Sequence, residues 1–442
     1  MKKVLFLAYL FPPIANSGTQ RPWKFAKYLA DYAWQPTVIT AAHFDGHHTD
    51  WRLESDLPPN VTVVRVPMLN DQVGDTIARL GGGALARRVG DAVSWRMRNY
   101  RRMPDLYSLW TPTVMRAAMR LFKEQGFDAI YATGFPWTSL LIGAQLSKAT
   151  GRPLVADFRD LWSGENLFRA DRPSPAEELA LERSVVESAT AVVTASASIG
   201  RWLASAHPSA DPEKFVAIHN GFDAADFAEA VERPRGRRFR IVFTGVWKEG
   251  YNPGELYDSI DWIRRSSPQL LDDVEVVAAG FAPGEARRRG LGDYITERGV
   301  VTHDEALSLM RTADLLYLSH VDPERQWVVP GKLYEYLASG TPVLALTDPG
   351  RETAQIINRV GGGVAISADD PGTLFQLLAE VCRTKSFAVP PRNPDALASF
   401  ERRHLTAKLA AVLEDAAGQV HLHHTALRMD TGSSAMLVTR SS

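Results

Sequence analysis

Val4-Leu-Phe-Leu-Ala-Tyr9 runs into Phe11-Pro-Pro-Ile-Ala-Asn-Ser-Gly18-Thr-Gln-Arg21, and then into a stretch carrying Trp23, Phe25, Ala26 and Leu29. An apolar run with no polar alternation reads as a strand covered on both faces. The double proline ends it, and Trp23, Phe25, Ala26 and Leu29 give the next segment an apolar helical face. Strand, loop and helix in this order make the first half of a parallel crossover. Met1-Lys-Lys has the charge order of a signal peptide, but no small-residue cleavage site follows the apolar run, so a buried first strand is expected.

The unit recurs along the chain. Strands are predicted at 4–9, 36–40, 61–66, 129–132, 154–157, 191–195 and 215–219, with helices such as 20–32, 136–149 and 176–188 between them. After a polar stretch the alternation restarts, with strands at 240–244, 273–279, 313–318, 343–346 and 363–366 and helices at 252–265, 303–312, 332–339 and 371–384. The expected organisation is a first α/β domain over residues 1–223, a linker over 224–236 and a second α/β domain over 237–393. A helix over 394–417 follows, with Leu397, Phe400, Leu405, Leu409 and Leu413 needing a partner, and the tail 418–442, with His421, His423 and His424, is expected to be disordered. Asn220-Gly221 suits the interdomain turn, with Gly221 at positive φ.

The chain has 442 residues, with 50 Lys and Arg against 51 Asp and Glu, for a net charge of −1. Nothing overall calls for a nucleic-acid partner. The single cysteine, Cys382, can form neither an intramolecular disulfide nor a cysteine zinc site, which suits a reducing cytoplasm. No run approaches the roughly 18 apolar residues of a membrane span. The expected location is cytoplasmic, with at most peripheral contact at the inner membrane face.

Tandem doubly wound domains bind ligands beyond the carboxyl ends of their strands, so chemistry is sought in the loops there and the site is expected in a central cleft. Gly18, near a helix start, either lets backbone amides approach an anion or is simply the glycine such a loop needs. In Val329-Pro-Gly-Lys-Leu-Tyr-Glu-Tyr-Leu-Ala-Ser-Gly-Thr-Pro-Val343 a short helix opens at Gly331 and stops at Gly340. The amides of Gly331, Lys332 and Leu333, with the Lys332 ammonium, would hold phosphate oxygens, and Glu335 could accept from vicinal ribose hydroxyls.

Here the chain resembles the family-4 glycosyltransferases of the GT-B fold, up to about residue 417. The resemblance rests on the opening Phe11 to Leu29 segment, on Val155-Ala-Asp-Phe-Arg-Asp-Leu-Trp162, on Ile218-His-Asn-Gly-Phe-Asp223 and on Gly331 to Val343. It implies two Rossmann-like domains, a nucleotide-sugar donor held mainly by the second, an acceptor held mainly by the first, retention of anomeric configuration, and a last helix crossing back. Glu335 matches the second of two family glutamates that contact the donor. The first falls at Trp327, so that contact is lost or is supplied by a neighbour such as Glu324. The family's cations after the first strand of the second domain are represented by Lys248 alone, off register, which is either the leaving-group cation or a solvated loop lysine. Where relatives carry a histidine at the start of the helix after the fourth strand, Trp137 stands here, as a sugar-stacking ring or a buried aromatic, with Thr138 and Ser139 as possible hydrogen-bonding substitutes.

Asp157, Arg159 and Asp160 end the fifth strand. They either serve the acceptor or pair among themselves to fix the loop, and Arg21 after the first strand and His43 after the second are further acceptor-side candidates. No Asp-x-Asp triplet occurs, so a metal-bridged diphosphate is not expected and no metal ligand is assigned. Between residues 79 and 102 stand Arg79, Arg87, Arg88, Arg96, Arg98, Arg101 and Arg102 against the one acid Asp91, interleaved with apolar residues. This stretch is either a solvated basic face or an amphipathic surface for anionic lipid or a polyprenyl-diphosphate acceptor.

The expected activity is metal-independent transfer of a sugar from a nucleoside-diphosphate sugar, a co-substrate rather than a cofactor, to a hydroxyl acceptor in bacterial polysaccharide or glycolipid assembly. The rivals are a non-catalytic sugar-nucleotide or glycan-binding protein and a nucleotide-sugar epimerase on the same architecture.

Overall fold

The computed structural model describes residues 1–433 except 45–46, 82, 101–102, 165–174, 230–237 and 249. The chain forms two compact units, Met1–Ile218 with Thr406 onward, and His219–Leu405. The division falls at Ile218/His219 rather than after 223, and most of the expected linker lies outside the described residues.

The first unit contains β1 (Lys2–Leu7), α1 (Ser17–Tyr28), β2 (Trp34–Ala41), α2 (Arg52–Ser55), β3 (Thr62–Val66), α3 (Leu69–Gly81), α4 (Gly83–Tyr100), α5 (Thr111–Gln125), β4 (Ala129–Gly134), α6 (Trp137–Thr150), β5 (Leu154–Phe158), α7 (Pro175–Ser188), β6 (Ala191–Thr194), α8 (Ala197–Ala206) and β7 (Phe215–Ala217). Its sheet runs β3-β2-β1-β4-β5-β6-β7, with parallel pairing throughout. Val4, Leu5, Phe6 and Leu7 are all fully buried, as expected of a central strand covered on both faces. Asn16 caps α1 by accepting from the Thr19 amide at 3.1 Å.

The second unit contains β8 (Phe239–Thr244), α9 (Gly254–Ser266), β9 (Val274–Ala279), α10 (Glu285–Arg288), β10 (Ile295–Glu297), α11 (His303–Thr312), β11 (Leu315–His320), α12 (Lys332–Ala338), β12 (Val343–Thr347), α13 (Glu352–Val360), β13 (Gly363–Ile366), α14 (Pro371–Thr384) and α15 (Pro394–Ala398). Its parallel sheet runs β10-β9-β8-β11-β12-β13. Apolar cores cover both faces, one built around Ile241, Phe243, Val276 and Leu344, the other around Val242, Leu316, Leu333 and Val343.

The expected helix over 394–417 is broken. Phe222 donates to the Phe400 carbonyl at 3.2 Å and Arg402 donates back to Phe222 at 2.9 Å, a strand-like bridge that interrupts helical bonding between α15 and α16 (Arg402–Ser433). Gly221 is needed because a Cβ there would strike the Phe400 carbonyl oxygen, and it does not take the positive φ expected of it. From Thr406, α16 belongs to the first unit, where Leu409 and Leu413 are buried and Glu414 pairs with Lys2 of β1. The helix continues through Gly418 to Ser433, so the tail expected to be disordered from 418 is helical that far, and 434–442 lie outside the described residues.

Candidate functional site

In each unit the strand order reverses direction at one place, between β1 and β4 and between β8 and β11. Crossovers part at such a point and leave a crevice beyond the strand ends.

In the second unit the loops after β8 and β11 are tied together at that crevice. Val321 donates to the Gly250 carbonyl at 2.9 Å, and the Tyr251 ring stacks on buried His320 with centroids 5.2 Å apart. Helix α12 is anchored to the end of β8 by two side chains one turn apart. The Lys332 Nζ donates to the Thr244 carbonyl at 3.0 Å, and the Tyr336 hydroxyl accepts from the Thr244 amide at 2.8 Å. The ammonium also lies 3.8 Å from the centroid of the Phe243 ring. Burial pushes Lys332 down to about 7.

Two glycines shape the elbow above this lysine. Gly245 has φ +143°, and a Cβ on it would fall 2.8 Å from Lys332 Nζ. Gly280, after β9, has φ +106°, and a Cβ there would fall 2.6 Å from the Gly245 carbonyl oxygen.

Gly331 is exposed with open space where a side chain would stand. Leu333 is corrected as a phosphate ligand, because its amide donates to the Pro330 carbonyl at 3.0 Å and its side chain is buried. The amides of Gly331 and Lys332 are those α12 can offer. Glu335 lies one turn further on, its Oε1 3.8 Å from His303 Nε2, which in turn is 3.5 Å from Asp226 Oδ2. Sequence reasoning missed His303 as a site residue. The signal was the capping box of Thr302 and Glu305, which fixes this histidine at the opening of α11. Lys248 is half-buried, with its ammonium 5.8 Å from the Tyr251 ring centroid. Trp327 is half-buried, and the side chain of Glu324 lies outside the described residues.

In the first unit the expected acceptor-side residues fall into separate groups. Arg21 and Asp157 are buried and paired, Nε to Oδ2 at 2.9 Å and Nη2 to Oδ1 at 2.8 Å. Tyr131 and Thr133 complete the carboxylate's bonds at 2.5 and 2.9 Å. Burial alone would raise the Asp157 carboxyl, but the charge and hydrogen bonds of Arg21, with the bond from Tyr131, hold it below its ordinary value. These two residues are corrected to a structural pair. Arg159 spends its guanidinium on the carbonyls of Gly134, at 2.8 Å, Phe135 and Gly18; burial lowers its pKa, partly opposed by the charge of half-buried Asp160. Gly18 is accounted for by packing, since a Cβ would fall 2.7 Å from Leu10 Cδ1.

Trp137 is corrected as a sugar platform. It is buried, and its ring stacks on Trp162 at 5.4 Å with the planes 2° apart. Thr138 is likewise engaged, donating from its hydroxyl and amide to Asp105 at 2.6 and 3.0 Å. Asp105 thereby closes the amino end of α6, and burial raises its carboxyl against those bonds. Half-buried His43 faces Asp71, at 3.5 Å, and Asp75, at 4.0 Å, on α3.

Two parallel doubly wound sheets, each with loop chemistry at its switch point, define the GT-B class of two-domain α/β proteins. Within that class, residues 23–226 match the family model Glycosyltransferase Family 4. The chain is 24% identical over 282 residues to the D-inositol 3-phosphate glycosyltransferase of Kineococcus radiotolerans, covering 59% of this chain and 63% of that protein's length. In fold it is similar to a sucrose-phosphate synthase from Thermosynechococcus elongatus, with a TM-score of 0.59 at 14% identity over 97% of this chain and 100% of that one. It is also similar to a UDP-GlcNAc 2-epimerase from Methanocaldococcus jannaschii, with a TM-score of 0.52 at 12% identity over 94% and 99%. Among the described residues no helix is long and apolar enough to cross a membrane.

Proposed function

We propose that this chain transfers a sugar from a nucleoside-diphosphate sugar to a hydroxyl acceptor with retention of configuration, at the cytoplasmic membrane face, in polysaccharide or glycolipid assembly. The observation that carries this reading is the Lys332 ammonium, held 3.0 Å from the Thr244 carbonyl under the Gly245 elbow, one turn from Glu335. A lysine whose ammonium is weakened by burial gains most when a diphosphate is placed beside it. Lys332 thus takes the role of the family's missing loop cations, with Lys248 as a second cation and the Gly331 and Lys332 amides as neutral donors.

In this mechanism the bond from the anomeric carbon to the diphosphate breaks, and its electron pair passes to the leaving oxygen. Lys332 and the two amides stabilise that charge. The acceptor hydroxyl bonds to the same face of the carbon, and its proton passes to a phosphate oxygen of the donor, so the chain itself supplies no nucleophile. Glu335, braced by His303, accepts from the ribose hydroxyls. Acceptor contacts are assigned to the first unit, where His43 and Asp160 are not fully buried and Asp105 stands at the opening of α6. The family match over residues 23–226 favours transfer over epimerisation.

Incubation with a panel of UDP- and GDP-sugars, with and without candidate acceptors, tests the proposal. Transfer, or acceptor-stimulated release of the nucleoside diphosphate, is expected. Thermal stabilisation by a nucleotide without turnover would favour a binding protein, and isomerisation of a donor alone would favour an epimerase.

A further inference from the structure

Helices α3 and α4 form an antiparallel hairpin on the first unit, and this hairpin carries Arg79, Arg87, Arg88 and Arg96 of the basic stretch singled out in the sequence, while Arg101 and Arg102 lie outside the described residues. The two helices meet through small residues. Gly74 and Gly90 touch backbone to backbone, Gly81 lies against Ala86, and the Asn70 amide donates to the Ser94 hydroxyl at 2.9 Å. At about 100° per residue, Ala86, Gly90 and Ser94 occupy one side of α4. Leu85, Val89 and Trp95 fall on the other side, within an arc of about 120° that also holds Arg88 and Arg96.

That outward arc is exposed. Trp95 is 69% accessible, Leu85 76% and Val89 46%, and Leu80 at the end of α3 is 84% accessible. A tip of exposed leucines and an apolar stripe set among arginines is costly in water and suited to an interface with an apolar interior and an anionic surface. The charges choose the occupant. Arg88 and Arg96 fall on this arc with no acid within it, so it repels a second copy of the same face and complements a negatively charged one.

We propose that the α3–α4 hairpin docks this protein on the surface of an anionic phospholipid bilayer, with Leu80, Leu85, Val89 and Trp95 entering the headgroup region and Arg88 and Arg96 meeting lipid phosphates. The inference gives the membrane location in the proposed function a surface, but its test reads vesicle binding and not turnover, so it can fail or hold independently of sugar transfer. It also gives the hairpin a route to the opening of α6. Asp105, which follows α4 closely in the chain, is bonded to Thr138.

The test is co-flotation of the full chain with phosphatidylcholine vesicles and with vesicles containing phosphatidylglycerol, at low and high salt. Binding is expected to the anionic vesicles only and to weaken with salt. The pair Arg88→Gln and Arg96→Gln should lower partitioning about 30-fold, from the usual contribution of a basic residue near an anionic surface. Leu85→Glu with Val89→Glu should abolish binding while leaving the circular-dichroism spectrum and thermal midpoint unchanged. A control pair on exposed α5 positions, Arg116→Gln with Arg120→Gln, should leave binding intact. Equal loss in the control pair would make the effect one of net charge and overturn the proposal. So would absence of binding to anionic vesicles, or concentration-dependent dimerisation that the Leu85 and Val89 substitutions remove.

Discussion

Raising the pH should weaken donor binding through one group. Lys332 sits at about 7, pushed down by burial, whereas a lysine in water titrates near 10.4. A bound diphosphate favours the ammonium, so the free protein must take up a proton to bind wherever it has lost one. With the free value at about 7, about nine-tenths of the molecules carry the charge at pH 6 and about one-tenth at pH 8. The dissociation constant for a nucleotide sugar should therefore rise about tenfold between those pH values, or about 1.4 kcal/mol. A nucleotide sugar is the right probe, because its diphosphate diester does not titrate in this range. Calorimetry in two buffers of different ionisation enthalpy should find close to one proton taken up per ligand at pH 8. Lys332→Met should remove both the slope and the uptake, and at pH 6 it should cost about 1.5–3 kcal/mol, the range for a hydrogen bond to a charged group. A wild-type affinity flat from pH 6 to 8, or an undiminished slope in the methionine variant, would refute the assignment.

Glu335→Ala should weaken nucleotide binding by about 1–3 kcal/mol, and a deoxyribose nucleotide should bind the variant and the wild type nearly alike. Asp157→Ala leaves the Arg21 cation buried without its partner and should cost about 3–5 kcal/mol in urea unfolding at pH 7. Because the folded Asp157 carboxyl lies below its ordinary value, its contribution is complete above about pH 4 and is lost as the pH falls through the folded value, so this deficit should shrink in acid. Gly280→Ala must displace the Gly245 carbonyl and should lower both stability, by about 1–3 kcal/mol, and donor affinity. Gly290→Ala, at φ +71° with nothing nearby, should lower stability alone. Transfer activity should persist in EDTA, since amides and lysines are assigned the leaving-group charge.

The architecture was largely legible because buried parallel strands announce themselves as continuous apolar runs. β10 escaped because its three residues, Ile295–Glu297, carry Glu297, whose carboxylate is drawn inward to the Tyr257 hydroxyl at 2.9 Å and to the amides of Gly284 and Ala286. The break between α15 and α16 was hidden for a related reason. The leucine periodicity persists across it, and only the tertiary bridge to Phe222 interrupts the backbone. Glu335 and Lys332 could be found from one continuous motif, but the lysine's partners come from β8, 88 positions away along the chain. The Arg21–Asp157 pair spans 136 positions, and local spacing suggested Arg159 as the partner of Asp157 instead. Trp137 shows the limit of residue type as a guide, because an aromatic at a helix start suits a sugar and a core equally until its neighbour Trp162 is placed against it.

A crystal structure of the chain with a bound UDP- or GDP-sugar puts the matter most directly. The Lys332 ammonium should lie within hydrogen-bonding distance of a diphosphate oxygen, with the Glu335 carboxylate on the ribose hydroxyls. A nucleotide seated elsewhere, with Lys332 still committed to the Thr244 carbonyl alone, would contradict the account.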